Sequence, residues 1–343
     1  MGQELLVRVE AAPINPADVK AMFCSLLSEQ LETNGTGIEA VVQGKAPPEL
    51  MAQLAKRIDV PLPIGNEGVG LVVSAGPEPK AQALLGTRVS VAAGGMFSDY
   101  RIVNSDDCIP IPDGIAPEKA ASAWINPMSA LAMIATMKQE GHKALVLTAA
   151  ASSLGMILNR LCIEDGIPLV NVVRSEAQVH SLRSLGAVHI CNSAAENFDE
   201  QLIDALSATG ATMAFDATGG GRLAGRILRA MELALAQTSE DYHRYGSSEH
   251  KHLYFFGGLD PAPVMFERNF GMAWSMGGWL LQPVLMKLGP EAVCAMKKRV
   301  REGMGTIFFA DYGQKISLPG ILEHDCLTAY MKLATGTKYL VVN

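Results

Sequence analysis

KALVLTAAASSLGMILNRLCIEDGIPLVNVVRSE, residues 143–176, is the stretch whose reading decides the fold. Ala144 to Leu147 is an apolar β-type run that stops at small residues, and Leu154, Ile157, Leu158 and Leu161 then recur at helical period. After Asp165-Gly166 a second apolar run, Pro168 to Val173, completes strand, tight turn, helix and strand. The whole reads as one βαβ unit with parallel strands and a right-handed crossover. Such a unit presents a helix N-terminus at the carboxyl edge of the sheet, where free N–H groups and the helix dipole favour a phosphate.

The glycine pattern of that turn is altered. Where a dinucleotide fold has three spaced glycines, this chain has Ala149, Ser152 and Gly155. Gly155 keeps the position that lets helix and strand pack closely, while Ser152 puts a hydroxyl where backbone usually approaches the pyrophosphate. Ala151, Ser152, Ser153, Leu154 and Gly155 are therefore the expected pyrophosphate site, a purely structural βαβ being the other reading. About twenty residues past such a turn, an NAD site carries an acid for the ribose hydroxyls, whereas this chain has Arg174 and Ser175. A guanidinium and a hydroxyl suit a 2′-phosphate, so NADPH is the expected cofactor, with a solvated strand-end charge as the plain reading of Arg174.

The chain's 343 residues suffice for two domains with sizeable cores, and 49% hydrophobic against 18% charged residues argues against disorder. A net charge of −7 without a basic run leaves no footprint for nucleic acid. Six cysteines, none in a CxxC pair, fit a reduced, cytoplasmic protein better than a disulfide framework. No signal peptide is expected, because MGQE leads directly into a short strand. The apolar stretch from Phe270 to Leu288 is broken by glycines and a proline, so it reads as core or interface rather than a membrane span.

Taken in order, Glu4 to Ala11 alternates as a strand, and Asp18 is placed to cap a helix beginning at Val19. Residues 25–63 read as an insertion or lid. PLPIGNEGVGLVVSAGP (61–77) and GTRVSVAAGGMFSDYRIV (86–103) supply strands of a small β domain, and residues 112–134 turn into a helix. ATMAFDATGGG (211–221) is a strand ending at Asp216, and LYFFGGLDP (253–261) is another. Met265, Phe266, Phe270, Met272, Trp274 and Met276 would floor an apolar pocket or fill a domain interface.

Together AAPINPADV, IGNEGVGLV, SDYRIV, PDGIAPEKAA, INPMSALAMI, the βαβ turn and TGTKYLVV resemble the medium-chain dehydrogenase/reductase superfamily, closest to its zinc-free quinone oxidoreductases and enoyl-thioester reductases. The resemblance implies an α/β fold: a Rossmann doubly wound parallel sheet over residues 124–263, and a GroES-like, mainly β catalytic domain from residues 1–123 and 264–343. It places Asn15 beside the nicotinamide ribose and the substrate, Asn126 and Ser129 on a helix touching the nicotinamide, and Asp216, Ala217, Thr218, Phe256, Gly257, Gly258 and Lys338 at the cofactor. The plain readings are an Asx turn for Asn15, helix capping for Asn126 and Ser129, and strand-end turns for the glycines.

Zinc-dependent members of that superfamily carry a Cys near Pro16 and Ala17 and a His at the place of Asn66; neither is present, although Glu67 is. No metal is therefore expected, the remaining candidates being His243, His250 and His252 in a polar insertion that reads as a solvated loop. The chemistry left is hydride transfer to a quinone or an α,β-unsaturated carbonyl, with a hydrogen bond stabilising the enolate. The tyrosine proton donor of the enoyl-thioester branch has no counterpart in AMFCSLL, leaving water, Tyr100 or Lys338. An enoyl-thioester reductase and an idle NADPH-binding protein are the other readings. Expected partners are a small apolar substrate and a second copy of the chain, with neither nucleic acid nor membrane.

Overall fold

The structure is a computed structural model and describes residues 2–24, 26–239, 242, 244–333 and 338–343. His243 and part of the closing TGTKYLVV motif lie outside them. The first stretch carries β1 (Glu4–Pro13), α1 (Pro16–Phe23), a hairpin of β2 (Leu31–Asn34) and β3 (Val41–Gly44), and α2 (Pro48–Leu54). Next come β4 (Gly68–Ala75), α3 (Pro79–Gln82), β5 (Arg88–Val91), β6 (Tyr100–Asn104), β7 (Cys108–Pro110), α4 (Pro117–Ala120) and α5 (Ile125–Gln139). Strands and helices then alternate: β8 (Leu145–Thr148), α6 (Ser153–Asp165), β9 (Leu169–Val173), α7 (Glu176–Leu185), β10 (His189–Asn192), α8 (Phe198–Thr209), β11 (Met213–Asp216), α9 (Leu223–Thr238) and β12 (Lys251–Phe255). The chain closes with β13 (Trp274–Gly278), α10 (Leu281–Leu288), α11 (Pro290–Glu302), β14 (Gln314–Ile316), α12 (His324–Met331) and β15 (Tyr339–Val342).

These elements form two units, residues 1–126 with 297–343, and residues 127–296. In the first, β1 alternates exposed with buried side chains and buries Leu5, Val7 and Val9, as expected of an antiparallel strand with one face on a core. It pairs with β4, β6 and β15, so both ends of the chain meet on one strand. Helix α1 starts earlier than the sequence suggests. Pro16 has no N–H to lose at the first helical position, so the cap is Asn15, and Asp18 sits one turn in, accepting the Asn15 N–H at 2.9 Å. The stretch expected as a lid contains the β2–β3 hairpin, and Leu31 packs into a core with Phe23, Leu327 and Tyr330.

The second unit is a six-stranded, all-parallel sheet in the order β10-β9-β8-β11-β12-β13. Strands β8, β9 and β11 are buried along their whole length, so they read as continuous apolar runs and not as alternation. The domain boundary expected at residue 263 moves to 296, because β13 pairs in parallel with β12, Lys251 opposite Trp274, and adds a sixth strand here. The apolar stripe divides as well. Phe270, Trp274 and Met276 belong to this unit's core, whereas Met265, Phe266 and Met272 are exposed. Among the described residues no helix is long and apolar enough to cross a membrane.

A fully buried lysine tests this core. Lys251 Nζ lies 2.7 Å from Glu232 Oε2 and donates to the Glu249 carbonyl at 3.2 Å, while Glu232 Oε1 accepts the Ser247 N–H at 2.8 Å. Removing one member strands a charge in low dielectric, and burying two apolar chains of similar volume does not. Glu232→Ala should cost about 3–5 kcal/mol. The double variant Glu232→Leu with Lys251→Met should recover most of it in chemical denaturation, and equal losses in both would refute the assignment.

Gly155 supplies a second test. A Cβ there would lie 2.1 Å from the Ala150 carbonyl oxygen, backbone that cannot yield without moving α6 off β8. Gly155→Val should therefore lower stability by about 1–3 kcal/mol or more, read as melting temperature. Ser152→Gly should change it by only a few tenths, because glycine is itself an acceptable helix cap.

Candidate functional site

Each unit contributes a group of chemically active residues. In the second, β8 ends at the point where the strand order reverses, between β8 and β11, the place where open α/β sheets bind ligands. The two strand ends are stitched together: Thr148 Oγ1 donates to Asp216 Oδ1 at 2.6 Å and accepts the Ala217 N–H at 2.8 Å. Asp216 is fully buried, and its carboxylate also takes the N–H groups of Thr218 (2.8 Å) and Gly219 (3.2 Å). The loops after β11 and β12 are zipped by Leu259 N–H to Ala217 O and Asp260 N–H to Thr218 O. A Cβ on Gly257 would lie 2.6 Å from Ala217 O, so only glycine permits that approach. Residues 216–218 and 256–258 are thus brought together, but Asp216 is consumed in shaping the loop.

The turn before α6 is a strained one. Ala149 takes φ +48°, the left-handed region that glycine occupies at little cost, and for an alanine this stores on the order of 1 kcal/mol. Ser152 is the N-cap of α6: its hydroxyl accepts the Gly155 N–H at 3.2 Å and its carbonyl the Met156 N–H at 2.8 Å. That leaves the Ser153 and Leu154 amides as helix-start donors for an anion, beside half-buried side chains at 152–154. Ser152 therefore acts first on the helix, a role its position alone did not distinguish from a phosphate contact. Inside the βαβ, Asn159 Nδ2 bonds Asn171 Oδ1 at 2.7 Å and Gly155 O at 2.9 Å, tying α6 to β9. Arg174 stands exposed at the carboxyl end of β9, and the Ser175 hydroxyl caps α7 through the Gln178 N–H at 3.4 Å.

In the first unit a buried polar network surrounds Glu67. One oxygen accepts from Asn15 Nδ2 at 3.0 Å and the other from the N–H groups of Ile125 (2.8 Å) and Trp124 (3.3 Å). Asp18 accepts from the Asn15 and Asn66 backbones at 2.9 and 2.8 Å. Burial pushes the Glu67 carboxyl above its ordinary range, opposed by the Lys338 ammonium and those donors, and raises Asp18 to about 6 against its two backbone bonds. Burial also pulls the Lys338 ammonium downward, while Glu67 and Asp18 hold it up. Lys338 donates to Ser122 Oγ at 2.7 Å, and Ser122 Oγ lies 2.8 Å from the Tyr312 hydroxyl. The ammonium of Lys338, expected at the cofactor, is thus engaged within its own unit.

Of the expected catalytic residues, Asn15 is 8% exposed with its amide held by Glu67, Asn126 is half-buried in the first turn of α5, and Ser129 is buried on the same helix. Tyr100, considered as a proton donor, is an exposed residue of β6. Ser122 and Tyr312 were not singled out: they are 190 positions apart, and no local pattern links them.

His250 is exposed in the loop before β12, as expected, whereas His252 does not lie in a loop. His252 belongs to β12, stacks on Tyr254 at 3.9 Å and meets Glu140 Oε2 at 3.0 Å, while His250 bonds Ser275 Oγ at 2.8 Å. With His142, Thr212 and Glu249 they line a cavity of about 250 Å³ at the amino ends of the strands, the edge opposite the Ser152 turn. Among the described residues no cluster of three or more His, Cys, Asp or Glu could hold a metal ion.

Comparison with known proteins follows this geometry. Residues 2–113 match the alcohol dehydrogenase GroES-like domain. The mitochondrial enoyl-[acyl-carrier-protein] reductase of Xenopus tropicalis is 28% identical over 193 residues, 54% of this chain and 47% of that protein. The quinone oxidoreductase of Pseudomonas aeruginosa is 24% identical over 163 residues, 47% of this chain and 50% of that one. The chain thus spans about half the length of the curated relatives it matches. A crystal structure of a candidate NADPH:quinone reductase from Mesorhizobium loti superposes with a TM-score of 0.73 at 25% identity, covering 100% of this chain and 87% of that one. The Escherichia coli quinone oxidoreductase complexed with NADPH superposes at 0.69 and 19% identity, covering 100% and 92%. With a GroES-like domain matched in its first third and a sheet in the doubly wound order following it, the chain shares the fold of these structures and is similar to quinone oxidoreductases and enoyl reductases.

Proposed function

We propose that this protein is an NADPH-dependent reductase of a quinone or an α,β-unsaturated carbonyl, working without a metal. The observation that carries the reading is the α6 start: Gly155 pressed on Ala150, two helix-start amides free for a pyrophosphate, and an exposed arginine at the end of the neighbouring strand. The residues fit the dinucleotide. Ser153 and Leu154 would hold the pyrophosphate, Arg174 the 2′-phosphate, and the 217–218 and 256–258 loops the nicotinamide half. Solved relatives complexed with NADPH support the choice of cofactor.

Bound there, the nicotinamide supplies a hydride. What this chain adds is electrostatic. Where a zinc enzyme would polarise a carbonyl by a metal, the place of the histidine ligand is taken by Asn66, and the Glu67 carboxylate accepts three hydrogen bonds, from Asn15, Trp124 and Ile125. Such a carboxylate orients the donors around it. Polarisation of the acceptor must come from hydrogen-bond donors, which suffices for substrates that are electron-poor without help.

NADPH oxidation with a panel of enones, quinones and enoyl thioesters tests the activity. Turnover of the first two classes is expected; turnover confined to thioesters would assign the chain to the enoyl-thioester reductases, and none at all would refute a reductase. Cofactor choice is tested by titrating NADPH and NADH. Arg174→Ala should weaken NADPH by about 1.5–3 kcal/mol, ten- to a hundredfold, and leave NADH within about twofold. Equal affinity for both cofactors in the unaltered protein would overturn the assignment of Arg174.

A further inference from the structure

His250, Lys251 and His252 put two histidines two residues apart at the start of β12, a spacing to which the reductase reading gives no role. Side chains alternate across a strand, so residues two apart share a face. Lys251 between them is fully buried in its ion pair with Glu232, which turns both imidazoles away from that core. Their ring centres lie 6.1 Å apart at an interplanar angle of 83°, and both rings line the cavity of about 250 Å³ with Glu140, His142, Thr212 and Glu249.

Each ring has one nitrogen already engaged. His252 Nδ1 meets Glu140 Oε2 at 3.0 Å, and the other Glu140 oxygen accepts the Tyr254 hydroxyl at 2.6 Å, which fixes the carboxylate. An ionised carboxylate only accepts, so Nδ1 of His252 carries the proton and Nε2 keeps a lone pair. His250 Nε2 bonds the Ser275 hydroxyl at 2.8 Å, and with Nε2 as the donor its Nδ1 is a lone pair too. Metal-bound histidines have this outer arrangement, the second ring nitrogen donating to a carboxylate or another acceptor that sets tautomer and ring orientation. Burial holds the His252 imidazole below its ordinary value, opposed by Glu140 and reinforced by His250, so the ring is neutral near pH 7, the form that ligates.

We propose that His250 and His252 form a chelate for a late first-row divalent ion, zinc or copper, at the amino edge of the second unit's sheet, with water completing the coordination. Imidazole is a favoured ligand of both ions. Zinc sits about 2.0–2.1 Å from an imidazole nitrogen, hence roughly 3 Å from the ring centre, so centres 6.1 Å apart can share one ion once the exposed His250 ring adjusts. Among the described residues no group of three His, Cys, Asp or Glu could hold an ion, so this is a two-histidine site that stays open to solvent. It lies at the edge opposite the Ser152 turn, and its ion takes no part in hydride transfer. Bound there, the ion joins the loop before β12 to the strand and stabilises the folded second unit by mass action.

The experiment uses untagged protein stripped with a chelator and titrated with Zn²⁺ and with Cu²⁺, followed by calorimetry, melting temperature and, for copper, electron paramagnetic resonance. One ion should bind per chain, raise the melting temperature and, as copper, show hyperfine coupling to two imidazole nitrogens. His250→Gln and His252→Gln should each remove the saturable binding and the rise in melting temperature. Glu140→Gln keeps both imidazoles but weakens the acceptor behind His252, and should lower affinity about ten- to a hundredfold. His180→Gln, at an exposed histidine of α7, should leave binding unchanged. Because His250 is exposed, His250→Gln decides the matter even if His252→Gln folds poorly. Binding that does not saturate at one ion per chain, or an affinity within about threefold in His250→Gln, overturns the site.

Discussion

The crevice of the second unit depends on how two strand ends are held at the point where the sheet order reverses. Parallel strands β8 and β11 diverge there into separate loops, and without a tie the crevice would be shaped by loop entropy. The Thr148 hydroxyl and the Asp216 carboxylate supply that tie in a fully buried place, each bond made to a group that could not otherwise be desolvated cheaply. An aspartate accepting from one hydroxyl and two backbone amides fixes the path of Ala217, Thr218 and Gly219. The glycine at 257 lets the neighbouring loop settle against it.

The first unit solves a different problem with the same means. Glu67, Asp18 and Lys338 are titratable groups lodged in a protein interior, which is costly unless every oxygen and proton has a partner. Donors from Asn15, Asn66, Trp124 and Ile125 reach the two carboxylates from segments far apart in sequence, and the cation opposes the burial of both. The network joins the start of α1, the IGNEG loop, the start of α5 and the segment before β15 around one charge cluster.

How much of this could be read from the chain varied with range. The βαβ at residues 143–176 was legible because burial on both faces of a parallel strand writes a continuous apolar run, and helix period writes the rest. The split of the first unit between residues 1–126 and 297–343 was legible only through resemblance. Its second boundary was misplaced because β13, with its pair of glycines, carries little strand signal and joins the sheet only by pairing with β12. Asp18 was misread by three positions because proline shifts the helix start. Ser122 and Tyr312 were invisible: a serine in an alanine-rich segment and a tyrosine before a short strand acquire meaning only once β14 and β15 set Lys338 beside them.

The pairing of β1 with β15 has a consequence for the order in which the molecule assembles. Ala11 waits for Val342 as its partner, and Lys338 reaches Ser122 only when β15 is laid down. The second unit is one continuous segment, residues 127–296. The first unit completes its sheet around Leu5, Val7 and Val9 only once residues 297–343 have been synthesised. Until β15 is laid down, β1 lacks the partner that pairs with Ala11, Ala12 and Pro13, and loss of β15 would leave that edge of the first unit's sheet unpaired.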